Sequence, residues 1–392
     1  MARDARLLAG LFLAIAAGLL LAGSTSAASS SSTKPLVEHW DGSSWTEVAS
    51  PTTEWLEAVA AASPDDVWTF GYSPSHTPAA GHWDGSAWKR VPLPSPKGAQ
   101  AVELVGAAAR AVDDVWAVGS WEAPRAPLLR PLVEHWNGTS WSIWPTPSFK
   151  VYGRLLGVTA LSPTNAWAVG AAGVRAGKRI TLRTLVLHWN GHEWTRVPSP
   201  NPRTASTSAA EIQDAVTSVA AVSPQDMWAV GAYFFRSAKH HTDHTLALHW
   251  NGRRWLTVPS PSPGGPAKPS VLTGVTAAAG EVWAVGRYSF RKKQLALFER
   301  WDGARWRVVA SPGTPGPKDR RDAFAAASLA PDDVWAVGMD GSGTNTQPLV
   351  ERWDGSAWSV VPVSPTPTDD SFAAVAVLSS TDVWAVGTRF QP

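Results

Sequence analysis

Asp114-Val115-Trp116-Ala117-Val118-Gly119 and His188-Trp189-Asn190-Gly191-His192-Glu193-Trp194 are single copies of two phrases that this 392-residue chain repeats seven times each. The first reads as a turn leading into a strand. The second reads as a hairpin turned by Asn190-Gly191, the strongest short-range hairpin signal. Repetition at a period of roughly 50 residues marks a solenoid, a propeller or an array. The tryptophans follow the phrases. Seven head the strand phrase (Trp68, Trp116, Trp167, Trp228, Trp283, Trp335, Trp384). Seven precede the turn (Trp40, Trp83, Trp136, Trp189, Trp250, Trp301, Trp353) and seven follow it (Trp45, Trp88, Trp141, Trp194, Trp255, Trp306, Trp358). Of the 24 tryptophans only Trp55, Trp121 and Trp144 fall outside these columns. Recurrence in every repeat assigns the columns to core rather than to the stacking of sugars or bases.

Each repeat reads as four strands. In the third, Leu156–Leu161 leads into the turn Ser162-Pro163-Thr164-Asn165, where proline and short polar residues suit a tight reversal. Ala166–Gly170 is the second strand, Leu185–Trp189 the third, and Trp194–Val197 the fourth. The fourth ends in Pro198-Ser199-Pro200, and proline belongs to edge strands and strand ends. Parity puts Trp189 and Trp194 on one sheet face, because side chains alternate along a strand. A lone four-stranded sheet cannot hide that face, whereas stacked blades can. The chain opens with a hairpin phrase, Leu36–Val48, that lacks a strand phrase before it. It closes with a strand phrase, Asp382–Arg389, that lacks a hairpin after it. Pairing the two ends completes a seventh blade and removes the open edges. The expected fold is all-β, a seven-bladed propeller of four-stranded antiparallel blades.

Val-Trp-Ala-Val-Gly, then Leu349-Val350-Glu351-Arg352-Trp353-Asp354, then Trp358 and Val360-Val361-Pro362 resemble a kelch repeat over residues 36–392. The chain departs from that repeat in three respects. The kelch double glycine is single here, the aromatic before Asp is Trp rather than Tyr, and the spacing to the next Trp is shorter. The resemblance implies a propeller, in agreement with the pattern itself. It implies no particular function, since propellers host many. Galactose oxidase shares the kelch-type propeller, but its radical cofactor needs a Cys joined to a Tyr, and this chain has no Cys.

Composition narrows the remaining choices. The formal charge of +2 is too small to imply bulk nucleic-acid binding. Arg3 and Arg6, the apolar run Leu7–Ala22, and small residues up to Ala28 read as a secretory signal cleaved near Ala27 or Ala28. The competing reading is a retained anchor, for which the run is short against ~30 Å of hydrocarbon. The expected organisation is a signal peptide over 1–28, a flexible spacer over 29–35, and the propeller over 36–392. A monomer, secreted or extracytoplasmic, is the expected state.

Loops 1–2 and 3–4 of each unit are short and nearly uniform, so their face of the disc reads as scaffold. Loops 2–3 and 4–1 vary, and binding residues favour such loops over a rigid frame. In the third to fifth units these loops are basic, with aromatics interleaved. They carry Arg175, Lys178, Arg179 and Arg183, then Arg236 and Lys239, then Arg287, Arg291, Lys292 and Lys293, with Tyr288 and Phe290 among them. That sector is expected to hold an anionic partner, either a protein or a charged polysaccharide of the cell envelope. His240, His241 and His244 have metal-ligand side chains, but a structural zinc site needs more ligands in fixed geometry. No metal and no cofactor is expected. The basic column before the hairpin Trp (His39, His82, His135, His188, His249, Arg300, Arg352) and the acidic column before the strand Trp read as structural, the first through bonds between blades. Glycosidase chemistry needs two carboxylates about 5–10 Å apart, and nothing local selects a pair among Glu103, Glu211, Asp214, Asp369 and Asp370. The function expected is a secreted, non-catalytic binding or scaffold propeller of the envelope. The alternative is a secreted carbohydrate-active enzyme or lectin.

Overall fold

A computed structural model describes residues 33–50, 55–123, 129–176, 179–202, 211–236, 241–312, 320–341, 346–364 and 368–390. The expected signal peptide lies outside the described residues. The chain forms seven blades of four antiparallel strands, each running from an innermost to an outermost strand. Blades one to six follow chain order. Blade seven takes its inner two strands, Asp369–Ser379 and Asp382–Phe390, from the C-terminus and its outer two, Thr33–Trp40 and Trp45–Glu47, from the N-terminus. The closing pair is continuous, from Thr33 opposite Phe390 to Trp40 opposite Val383. Thr33, Lys34 and Pro35, read from sequence as spacer, are therefore strand residues. Arg389 latches this blade, reaching Asp370 on the innermost strand at 2.9 Å and both carboxylate oxygens of Glu47 on the outermost.

Strands in the third and fourth units run well beyond their expected ends. In blade three the second and third strands stay paired out to Ala176 and Arg179. In blade four they stay paired out to Arg236 and His241. Local pattern located the core of each blade and missed these extensions, which in blade three pack Leu182 and Ile180 beside Ala215 of blade four.

The hairpin between the two turn tryptophans is a four-residue loop, with Trp40 directly opposite Trp45 and Trp189 opposite Trp194. Its first residue closes it. Asp41 Oδ1 accepts the backbone N–H groups of Ser43 and Ser44 at 2.8 and 2.9 Å, and those donors hold its carboxyl down at about 2. Glycine follows at φ of +83° to +96° in all seven loops, a region closed to residues with a Cβ.

The tryptophan columns meet across blade boundaries. The strand indole of each blade sits on the hairpin pair of the next. Trp116 lies 5.6 Å from Trp189 and 5.3 Å from Trp194, the latter edge-on at 84°. Trp335 and Trp384 make the equivalent contacts across the closing blade, to Trp40 and Trp45 and to Trp83 and Trp88. The seven strand tryptophans are 0–3% exposed. Edge-to-face geometry of this kind adds ~0.5–1.5 kcal/mol to the burial of each ring.

The basic and acidic columns, read separately from sequence, bond to each other. Histidine or arginine on the third strand meets Asp, Asn or Glu on the second strand at 2.7–3.2 Å, as in His135–Asp114 and Arg300–Glu281. The imidazole also lies over the strand indole, 4.2 Å between centroids for His135 and Trp116. These bonds run within a blade rather than between blades, which corrects the sequence expectation. Adjacent antiparallel strands bring the two columns opposite each other, as Trp116 and His135 are in register.

Four blades bury a glutamate on the third strand, two positions before the hairpin Trp. Glu38, Glu134, Glu299 and Glu351 are 0–3% exposed. Ser260 Oγ donates to Glu299 at 2.7 Å, and Ser311 Oγ to Glu351 at 2.8 Å, each from the preceding blade. Glu134 has no such partner. Loss of hydration raises Glu38 and Glu351 to about 7 and Glu134 and Glu299 to about 8.

Two outcomes are expected. Trp189→Ala should cost ~3–5 kcal/mol, as large-to-small core changes do, and Trp121→Ala, half-buried and flanked by Arg130, about 1–2 kcal/mol. Equal shifts in denaturation midpoint would count against the column assignment. The raised carboxyls make the folded state bind more protons than the unfolded chain between their ordinary value of 4.5 and about 8. Stability should therefore fall as pH rises through that window and level off above it. His188 and His244, lowered by burial, act in the opposite sense. Melting temperature measured from pH 5 to 9 should decline, and Glu134→Gln should make the decline shallower; a flat profile in the parent contradicts this.

Candidate functional site

The innermost strand of every blade carries an extra residue near its middle, besides a second register shift at the following turn in every blade but the fifth. The mid-strand bulges fall at Glu57, Val105, Leu156, Thr217, Thr273, Phe324 and Ala373. The glycine that ends each strand phrase stands opposite. A Cβ on Gly170 would lie 2.0 Å from the carbonyl oxygen of Arg154, and the other six glycines are equally crowded. The single glycine of the repeat thus answers the bulge. The residue after each bulge is small, because inner strands converge. A Cβ on Gly106 would meet the Leu156 carbonyl at 2.7 Å.

A bulge re-aims its side chain, and all seven bulged residues line the axial channel, which encloses a cavity of about 180 Å³. Thr217 and Thr273 turn their hydroxyls onto the carbonyls of Leu272 and Ala323 in the next blade. Glu57 is the only ionisable residue among those lining the cavity, and Phe324 the only aromatic one.

A buried polar cluster backs Glu57 on the side of blades one to three. Tyr72 donates its hydroxyl to Glu57 Oε1 at 3.4 Å. Arg154, 3% exposed, donates to Glu103 Oε2 at 3.1 Å. His76 Nδ1 stands 2.9 Å from Glu103 Oε1, a charge contact off the line of a good hydrogen bond. His76 sits at φ +55° and stacks on Tyr72 at 5.5 Å. Burial raises Glu57 to about 7 against the pull of Arg154. Glu103 is held below its ordinary value because His76 and Arg154 outweigh its burial. Sequence reading did not single out Glu57, Tyr72, His76 or Arg154 as a site: no local motif marks the bulge at Glu57, and the others meet it from separate strands and a loop.

The basic sector divides. Lys178 and Lys239 lie outside the described residues, as does His240, and the side chains of Arg179, Arg236 and His241 are likewise outside them. Arg175 is exposed. Arg183 is spent on the buried Asp214 at 3.3 Å, and Arg287 lies half-buried in the field of Asp322 and Asp243. Tyr288 packs against the core between blades four and five. At the tip of blade five, Arg291 and Lys292 are exposed, and Lys293 is half-buried. Phe290 is 48% exposed, with the Arg291 guanidinium 5.4 Å and the Lys268 ammonium 6.0 Å from its ring centre. Lys268 was not among the residues picked out from sequence; it arrives from the segment before blade five and donates to the Arg291 carbonyl at 3.3 Å. His244 stacks on Tyr233 at 5.1 Å. No group of three or more potential metal ligands occurs among the described residues.

The acids considered for hydrolysis are spread around the ring. Glu103 belongs to blade two, Asp214 to blade four, and Asp369 and Asp370 to blade seven, where Asp369 accepts the Thr346 N–H at 2.7 Å and Asp370 pairs with Arg389. The side chain of Glu211 lies outside those described.

No family model and no curated protein matches the chain. Among solved structures it is similar to YCF48 from Cyanidioschyzon merolae, with TM-score 0.52 and 17% identity over 89% of this chain and 99% of that one. It is also similar to the GH74 xyloglucanase from Xanthomonas campestris, with TM-score 0.51 and 14% identity over 85% of this chain and 51% of that one. A likeness at these identities shows the fold alone: this chain is a seven-bladed β-propeller.

Proposed function

We propose that the protein is a secreted, non-catalytic binding propeller of the cell envelope, of kelch-like descent, that holds an anionic partner on its variable face. The observation that carries this reading is the tip of blade five. Phe290 stands out of the surface between Arg291 and Lys268, with Lys292 beside them. Cations that flank an exposed ring offer a partner both charge and a stacking surface. Two buried acids of this face are answered by arginines, Asp214 by Arg183 at 3.3 Å and Asp322 by Arg320 at 2.7 Å. At the tip of blade five Arg291 and Lys292 are exposed. An anionic polysaccharide of the envelope fits such a surface. The lectin alternative calls for aromatic rings exposed at one place on several blades, and none of the 21 repeated tryptophans is fully exposed.

Replacing Arg291, Lys292 and Lys293 together by Glu should weaken binding to polygalacturonate or dextran sulfate at least tenfold. Binding by the parent should weaken with salt, since exposed charges are screened over ~8–10 Å at 0.1–0.15 M ionic strength. Stability should change by less than about 1 kcal/mol. Salt-independent binding, or equal binding by the triple variant, would remove the charge argument.

A further inference from the structure

We propose that the stretch of the axial cavity wall where Phe324, Ala373 and Glu57 follow one another on successive blades is a binding site for a small organic ammonium group. Three observations converge there. Blades six, seven and one are consecutive around the ring, so their bulged residues are neighbours at one level of the channel. Ala373, on the blade between the other two, contributes only a methyl group to the cavity wall, so no larger side chain stands between the blades that carry the carboxyl and the phenyl ring. The remaining lining is aliphatic or hydroxylic, so no other charge competes for a ligand.

A carboxylate beside an aromatic face is the pairing that recognises alkylated ammonium ions. The ring attracts the cation through its quadrupole, and the apolar wall receives the alkyl groups. A cavity of about 180 Å³ far exceeds the ~10–15 Å³ that one water requires. The groups facing Glu57 fix the sign of the site. Tyr72 comes from the second strand of blade one, Glu103 from blade two and Arg154 from blade three. Blade seven, on the other side, presents Ala373, Ala374 and Val375 to the channel. Arg154 and His76 both face Glu103, so an ionised Glu57 leaves the cluster net negative while His76 is neutral and balanced once His76, whose protonation Glu103 favours, takes up a proton. This site is separate from the anionic-partner surface at the tip of blade five.

The test is a titration with choline and with 3,3-dimethylbutan-1-ol, its uncharged isostere, by calorimetry. Choline should bind at least tenfold more tightly than the alcohol. Its affinity should rise about tenfold per pH unit below pH 6 and level off above pH 8, because Glu57 must ionise and does so at about 7. Glu57→Gln should cost tenfold or more, and Phe324→Leu threefold or more. Ala373→Leu places a larger side chain between those blades without altering charge. It should abolish choline binding while leaving both the melting temperature and dextran sulfate binding as in the parent. Equal affinity for the alcohol, or choline binding retained by Glu57→Gln or by Ala373→Leu, overturns the proposal.

Discussion

An indole from one blade wedged against an indole pair of the next is the contact on which the ring depends. A blade alone exposes a face of large aromatic side chains, and burying them requires a neighbour on each side. The need is met for every blade only when the ring closes. Closure in turn depends on Thr33–Trp40 lying beside Asp382–Phe390. His39 with Asp382 and Arg389 with Glu47 then tie the two chain ends together through polar contacts. Each blade adds an internal sandwich of imidazole or guanidinium, a carboxylate or (in blade three) the Asn165 amide, and the strand indole.

Closing seven blades forces seven inner strands toward one axis. Small residues permit the approach, and a bulge in each strand spreads the crowding. The cost is a local loss of ladder regularity, accommodated by a glycine opposite every bulge. The consequence is functional, because each bulge turns one side chain into the channel. Five of those positions hold aliphatic or hydroxyl groups that seal the wall or bond to the next blade, as Thr217 does. The two exceptions, Glu57 and Phe324, give the cavity wall, among the described residues, its one ionisable group and its one ring.

Electrostatics divides the molecule by depth. Beneath the variable face, arginines and buried acids pair across blades, Arg154 with Glu103 and Arg183 with Asp214. Between blades, glutamates lie with incomplete partners and keep their protons to unusually high pH. At the tip of blade five, Arg291 and Lys292 are exposed. The net charge near zero conceals this arrangement, since it sums groups that never see one another.

The strand count, the hairpin register and the exchange of chain ends were legible in the sequence because they repeat. Seven copies of Trp-Asn/Asp-Gly with a second Trp five residues after the first leave one parity and one closure. The assignment of the tryptophans to core followed from the same recurrence. The bulges were not legible. Glu57 and Phe324 occupy equivalent positions whose residue types share nothing, so no column marks them. The basic sector was visible as composition, but composition cannot tell Arg183, spent on a buried carboxylate, from Arg291 at an exposed tip. Pairing between groups far apart in the chain sets that difference, and distance along the chain carries no information about it. Repetition therefore determined the frame from sequence alone. The tertiary structure decided what the frame presents, because the charge or contact left to each side chain depends on neighbours brought from other blades.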